Sequence, residues 1–125
     1  NIKIWPHDVR LIISDFKNAF FDKIFIFHPD PWQKNKHKKR RILQQGFLDS
    51  LSRVLKKNGT IVLSTDEIKM KSWILEQFHV RTDFEWQVDH LNEIFNKPDK
   101  FVQTKYSKKA IREKKNINWF FFKKK

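Results

Sequence analysis

Lys23-Ile24-Phe25-Ile26-Phe27-His28-Pro29-Asp30-Pro31-Trp32 is the stretch on which the fold turns. Its first half is a short, nearly continuous apolar run, the pattern of a strand buried within a parallel sheet. Its second half stops that strand hard, because two closely spaced prolines cannot donate to a sheet ladder. Asp30 lies between those prolines and precedes no immediate helix. It therefore has fewer local amides to satisfy its carboxylate than a helix-capping acid has.

The chain on either side extends this pattern. Upstream, Ile2-Lys3-Ile4-Trp5 alternates like a short strand that Pro6-His7-Asp8 ends, and Val9, Ile12, Ile13, Phe16 and Phe20 recur at helical spacing. Downstream, Leu43, Phe47, Leu51, Val54 and Leu55 draw one helical face, with Asn58-Gly59 as its stop. Thr60-Ile61-Val62-Leu63-Ser64-Thr65 predicts another buried strand, and Asp66 opens a helix with Met70, Trp73, Ile74, Gln77 and Phe78 on one side. Residues 1–79 thus read strand–helix three times, with connections long enough for crossovers. That is the signature of an α/β fold with a parallel sheet. Phe84-Glu85-Trp86-Gln87-Val88 predicts a further strand, residues 96–116 a basic loop, and residues 117–122 a closing strand. The 125 residues suit one domain.

Composition excludes several classes. There are two glycines, Gly46 and Gly59, so no glycine-rich phosphate loop can be written. Zero cysteines remove disulfides, thiolate metal sites and cysteine nucleophiles. The five histidines are nowhere paired at a zinc-ligand spacing, so no metal is expected. No apolar run is long enough for a membrane helix and no signal-peptide pattern is seen, which reads as a cytoplasmic protein without membrane contact.

The formal net charge is +13, and it is not spread evenly. Residues 1–33 hold four basic and four acidic side chains, and residues 42–96 hold six and eight. Residues 34–41 carry six cations and no acid, and residues 97–125 carry eleven cations and two acids. A compositional bias toward lysine would distribute the excess. Its confinement to two segments points to a polyanionic partner, with a solvated surface as the plain alternative.

In an open parallel sheet, ligands bind beyond the carboxyl ends of the strands. Asp8, Asp30 and Asp66 each stand just after one of the three predicted strands and so reach one rim. Helix capping explains Asp8 and Asp66 equally well, because each precedes a helical pattern. Asp30 has no such alternative, and the cations of 34–41 follow it directly. A carboxylate beside a cationic run joins base recognition to phosphate binding.

His28-Pro29-Asp30-Pro31-Trp32-Gln33-Lys34-Asn35-Lys36-His37-Lys38-Lys39-Arg40-Arg41 closely resembles the hallmark segment of bacterial tRNA (guanine-N7)-methyltransferases, which usually have Phe where His28 stands. His7-Asp8, Ser64-Thr65-Asp66 and Thr104-Lys105-Tyr106 fall in the family's order and at closely matching separations. The resemblance covers the whole chain but only the C-terminal portion of a typical family member. It implies a Rossmann-like methyltransferase fold that uses S-adenosylmethionine to methylate guanine N7 in the tRNA variable loop. By the same resemblance Asp8 contacts the adenine side of the cofactor, and Asp30 lies at the active site between cofactor and base, serving catalysis and cofactor binding. Lys34, Asp66, Thr104, Lys105, Tyr106 and Ser107 bind the tRNA, Ser107 standing where the family normally has Glu. The closing segment Asn116-Ile117-Asn118-Trp119-Phe120-Phe121 keeps only the tryptophan of the family pattern.

The family's first two strands, its glycine-rich turn and its ribose-binding acid would lie upstream of Asn1. Their absence implies unpaired strand edges, poor solubility and loss of activity for this chain alone. A separately encoded N-terminal half is one partner compatible with this reading. The rival from another class is a non-catalytic basic RNA-binding protein, or the inactive remnant of a gene.

Overall fold

The computed structural model describes residues 1–95, 108–109 and 116–125. Its centre is β2, Leu55–Thr65. Residues 61–65 of this strand are all buried, as a two-sided apolar strand should be. On one side it pairs in parallel with β1, Phe21–Phe27, and on the other it pairs antiparallel with β4, Asn118–Lys124. A short β3, Phe84–Trp86, pairs antiparallel with β4, giving the order β1-β2-β4-β3.

Two helices supply the apolar cover. Helix α1, Gln45–Val54, buries Phe47, Leu48, Leu51 and Val54, and helix α2, Ile68–His79, buries Met70, Ile74 and Phe78. Residues at this spacing share one helix face. They pack in one cluster with Ile61 and Leu63 of β2 and Phe120 and Phe122 of β4, which alternate to the same side of their strands. Phe78 stacks on Phe122 with centroids 3.8 Å apart. Sequence periodicity located these strands and helices correctly, apart from their ends.

Four expectations are corrected. Residues 2–5 form no strand and are exposed, because no neighbouring strand among the described residues offers them a ladder. The helical pattern of residues 9–20 yields only two 3-10 turns, Val9–Leu11 and Ile13–Asp15. Arg53 of α1 captures carbonyls that a longer helix would use internally, donating to Ile13 O at 2.9 Å and Phe16 O at 2.7 Å. Only the β1 and β2 units therefore remain of the three strand–helix repeats. Asn58-Gly59 does not stop α1, which ends at Val54 and runs directly into β2.

Instead, residues 55–60 bulge, since Phe21 pairs with Leu55 while Lys23 pairs with Thr60. Asn58 takes a left-handed conformation there (φ 65°), one that asparagine tolerates better than most residues. A Cβ on Gly59 would lie 2.7 Å from Leu55 Cγ and 2.8 Å from the Lys56 carbonyl oxygen, so glycine permits the close approach. The end of α1 is closed from elsewhere. Lys124, from the lysine run that ends the chain, donates its ammonium to the Ser52 and Leu55 carbonyls. A cation at a helix C-terminus is favourable both as a hydrogen-bond donor and against the dipole.

Candidate functional site

The strand register builds the rim. Phe27 of β1 is level with Ser64 of β2, and Thr65 is level with Asn118 of β4. Asp30 and Asp66, three and two residues beyond the paired Phe27 and Ser64, consequently emerge at the same end of the sheet. His28 N–H donates to Ser64 O at 2.8 Å, and Asn118 Nδ2 donates to Thr65 O at 3.3 Å, tying all three strands there. Asp66 does not cap α2. The N-cap position is Glu67, whose N–H is satisfied by Thr65 Oγ1 at 3.1 Å.

Asp30 sits on a braced loop. Residues flanking it, His28 (φ 47°) and Trp32 (φ 41°), are both left-handed, while Pro29 and Pro31 fix their own φ. Such backbone strain persists only where the surroundings hold it in place. Arg41 provides that hold: Nε donates to Pro31 O at 2.8 Å and Nη2 to Trp32 O at 3.3 Å, and its guanidinium lies 4.8 Å from the Trp73 ring centroid. From the start of α2, Lys69 Nζ donates to Gln33 O at 2.8 Å, and Gln33 Nε2 donates to Glu67 Oε2 at 2.7 Å. Asp30 itself is exposed, with no hydrogen-bond partner among the described residues. A fixed loop thus presents a carboxylate free to meet a ligand.

Arg41 corrects the reading of the cationic run. Five of the six cations, Lys34, Lys36, Lys38, Lys39 and Arg40, are exposed around the 3-10 helix Asn35–Arg40, but Arg41 is 3% exposed. Its charge braces the loop and does not face solvent. Only its position next to Ile42-Leu43 hints at this in the sequence. Trp32 is flanked by Arg40, 5.0 Å above the ring, and by the edge of His37 at 5.7 Å. The Arg40 cation and the His37 ring are thereby ordered beside the rim.

Asp8 occupies different surroundings. Its carboxylate caps the first 3-10 turn by accepting from Arg10 N–H at 2.9 Å, and it takes a bidentate contact from the Arg10 guanidinium at 2.6 to 3.0 Å. The Arg10 side chain, with its backbone N–H, holds the Asp8 carboxyl below the ordinary carboxylate range. Next to it a cavity of about 350 Å³ opens between the N-terminal segment and β1, lined by Trp5, His7, Val9, Ile12, Phe16 and Ile24. Thr104, Lys105, Tyr106 and Ser107 lie outside the described residues.

His28 was absent from the predicted site. Its buried imidazole places Nδ1 at 3.5 Å from Asp66 Oδ1, with the two side chains 6% and 17% exposed. The substitution of His for the usual Phe was visible in the sequence, but its partner, 38 positions away, was not. Among the described residues no helix is long and apolar enough to cross a membrane.

A family model described as "Putative methyltransferase" matches residues 1–119. The chain is 33% identical over 121 residues to the tRNA (guanine-N(7)-)-methyltransferase of Zymomonas mobilis, covering 97% of this chain and 52% of that protein. It is 28% identical over 122 residues to the Rhodospirillum rubrum protein of the same name, covering 98% and 48%. A bifunctional methyltransferase of Rickettsia typhi is 33% identical over 120 residues, with 95% and 23% covered. The chain therefore spans about half the length of the first two relatives. Among solved structures, a Thermus thermophilus protein described as a DNA modification methylase aligns with TM-score 0.55 at 14% identity, over 94% of this chain and 50% of that one. That likeness is one of fold, the Rossmann-like methyltransferase sheet.

Proposed function

Because the chain belongs to this methyltransferase family, we propose that it serves S-adenosylmethionine-dependent methylation of guanine N7 in the variable loop of tRNA. The observation that carries the proposal is the braced loop at the rim. It holds Asp30 exposed, at the same end of the sheet as Asp66, beside five exposed cations. Lys34, Lys36, Lys38, Lys39 and Arg40 engage phosphates, which positions an RNA without reading its sequence. Asp30 and Asp66 face the base, and Thr104, Lys105, Tyr106 and Ser107 complete the substrate contacts by family likeness.

The described residues fit only part of the cofactor. Neither glycine stands at the rim, since Gly46 lies in α1 and Gly59 in the bulge at the opposite end of β2, so these residues form no glycine cradle. Asp8 and Asp30 are the cofactor-facing groups proposed here. When bound, S-adenosylmethionine supplies an electrophilic methyl group on a sulfonium. Guanine N7 carries an in-plane lone pair and no proton, so the site needs no general base. Methylation there would leave a positive charge on the purine ring. Asp30 stabilises that developing charge, the kind of fixed electrostatic contact on which such sites depend.

The outer edge of β1 is unpaired among the described residues, and Phe20 and Phe25 beside it are about half exposed. Such an edge is a template for further strands. The proposal assigns it to the remainder of the methyltransferase fold, carried by the same polypeptide or encoded separately as an N-terminal half. By itself the 125-residue chain is then expected to bind tRNA but not to transfer methyl groups.

The test is incubation with S-adenosylmethionine labelled in its methyl group and an unmodified tRNA transcript, with and without a polypeptide carrying the missing part of the fold. Label incorporated by the combination, and abolished by Asp30→Ala, is the expected result. Salt-sensitive tRNA binding without cofactor binding in any combination would instead favour a non-catalytic RNA-binding protein.

A further inference from the structure

Resting on the tRNA reading above, we propose that His28 is a positioning residue. Its imidazole orients the Asp66 carboxylate toward the substrate through an Nδ–H contact that the phenylalanine usual in this motif cannot make. Three observations converge on it. The imidazole is nearly fully buried at the end of β1, where a polar ring requires a polar neighbour. Its Nδ1 is 3.5 Å from Asp66 Oδ1, within ion-pair reach but longer than a formed hydrogen bond, as contacts in ligand-free sites often are. The N-cap position of α2 is Glu67, so Asp66 stands one residue before the helix, at the end of β2 and on the same rim as His28.

The backbone explains why histidine suits the position. Residue 28 is left-handed (φ 47°) and is pinned there by its N–H bond to Ser64 O. Histidine, asparagine and aspartate enter that region several-fold more readily than other non-glycine residues. Asparagine also places its Nδ2 donor at the same distance along the side chain as histidine Nδ1. His28→Asn therefore keeps both the backbone preference and the donor, while His28→Phe keeps the ring volume and has no donor to offer.

Two measurements on the 125-residue chain test this. In the nitrogen-15 spectrum of the histidine rings, Nδ1 of His28 is expected to be protonated, with a resonance that moves in Asp66→Asn. In titrations with an unmodified tRNA transcript, His28→Phe is expected to weaken binding about 3- to 10-fold, the size of one ordinary hydrogen bond, because the contact acts through Asp66 and not on the RNA itself, and His28→Asn to stay within about twofold of wild type. An unprotonated Nδ1, a resonance indifferent to Asp66→Asn, a His28→Phe variant that binds like wild type, or an equal loss in His28→Asn would each overturn the proposal. Should the wild-type chain not bind tRNA at all, the tRNA reading fails, and the ring spectra decide the His28–Asp66 pairing by themselves.

Discussion

Replacing Arg41 with alanine removes the brace of the Asp30 loop and separates two readings of the cationic run. If Arg41 were one more phosphate ligand, its loss would cost RNA affinity and leave the fold untouched. The structure assigns it the opposite role. Two carbonyls, Pro31 O and Trp32 O, lose a charged donor, each such bond being worth about 1.5–3 kcal/mol. The guanidinium stack on Trp73 adds up to about 2 kcal/mol in a desolvated setting. Against these stands the cost of burying the charge in the native protein, which the substitution relieves. A net loss of about 3 kcal/mol follows, in the upper range for single substitutions.

Urea unfolding followed by circular dichroism measures that loss, with Lys39→Ala as a surface control expected to stay within about 0.5 kcal/mol of wild type. Arg41→Lys keeps the charge but cannot serve two carbonyls with a planar fork, so it should recover only part of the loss. The salt dependence of tRNA binding should be unchanged in Arg41→Lys. An Arg41→Ala chain as stable as wild type, or an Arg41→Lys chain with a shallower salt slope, would refute the reasoning.

Further outcomes follow from other parts of the molecule. Removing Lys36, Lys38 or Lys39 should lower the slope of log affinity against log salt by about one for each phosphate left without its cation, and should not change stability. Gly59→Ala drives a Cβ to 2.8 Å from the Lys56 carbonyl and should cost about 1–3 kcal/mol by chemical denaturation. Gly46→Ala meets nothing within 4 Å inside α1 and should stabilise the chain by about 0.5–1 kcal/mol. Burial raises the Asp83 carboxyl, but the Arg81 ion pair at 2.7 Å and Ser52 outweigh it and lower the folded-state pKa. Its contribution is therefore present above the unfolded carboxylate pKa of about 3.9 and lost as pH falls through the lower folded value. Stability curves of wild type and Asp83→Asn should accordingly converge in acid and differ by under about 1 kcal/mol at neutral pH.

The parts of the fold that the sequence revealed are those whose signal is local. Residues 61–65, opened by the apolar run Ile61-Val62-Leu63, are buried throughout because they lie in an inner strand, and the apolar faces of α1 and α2 are visible as helical periodicity. Failures came where a distant group decides. Residues 9–20 have a helix's spacing, but Arg53 takes their carbonyls. Asn58-Gly59 has the composition of a helix stop and also that of a bulge, and the register with β1 selects the bulge. Residues 2–5 alternate like a strand, yet a strand exists only where a neighbour pairs with it.

The site divides the same way. The shared rim of Asp30 and Asp66 followed from two strand ends, and parallel pairing places them as expected. Asp8 followed a strand that does not form, and its capping alternative is what the structure displays. Arg41 could not be told from its five exposed neighbours, because the distinction depends on Trp73, 32 residues away.

The central claim is that Asp30, held at the rim, serves methyl transfer to guanine N7. The most direct measurement is mass spectrometry of nuclease-digested tRNA after reaction with S-adenosylmethionine, the chain and the remainder of the fold. It should find 7-methylguanosine confined to a variable-loop fragment, reduced at least about 100-fold by Asp30→Ala, as expected when a group that stabilises the transition state is removed. Methylation at another atom or loop, or 7-methylguanosine formed equally well by Asp30→Ala, would contradict it.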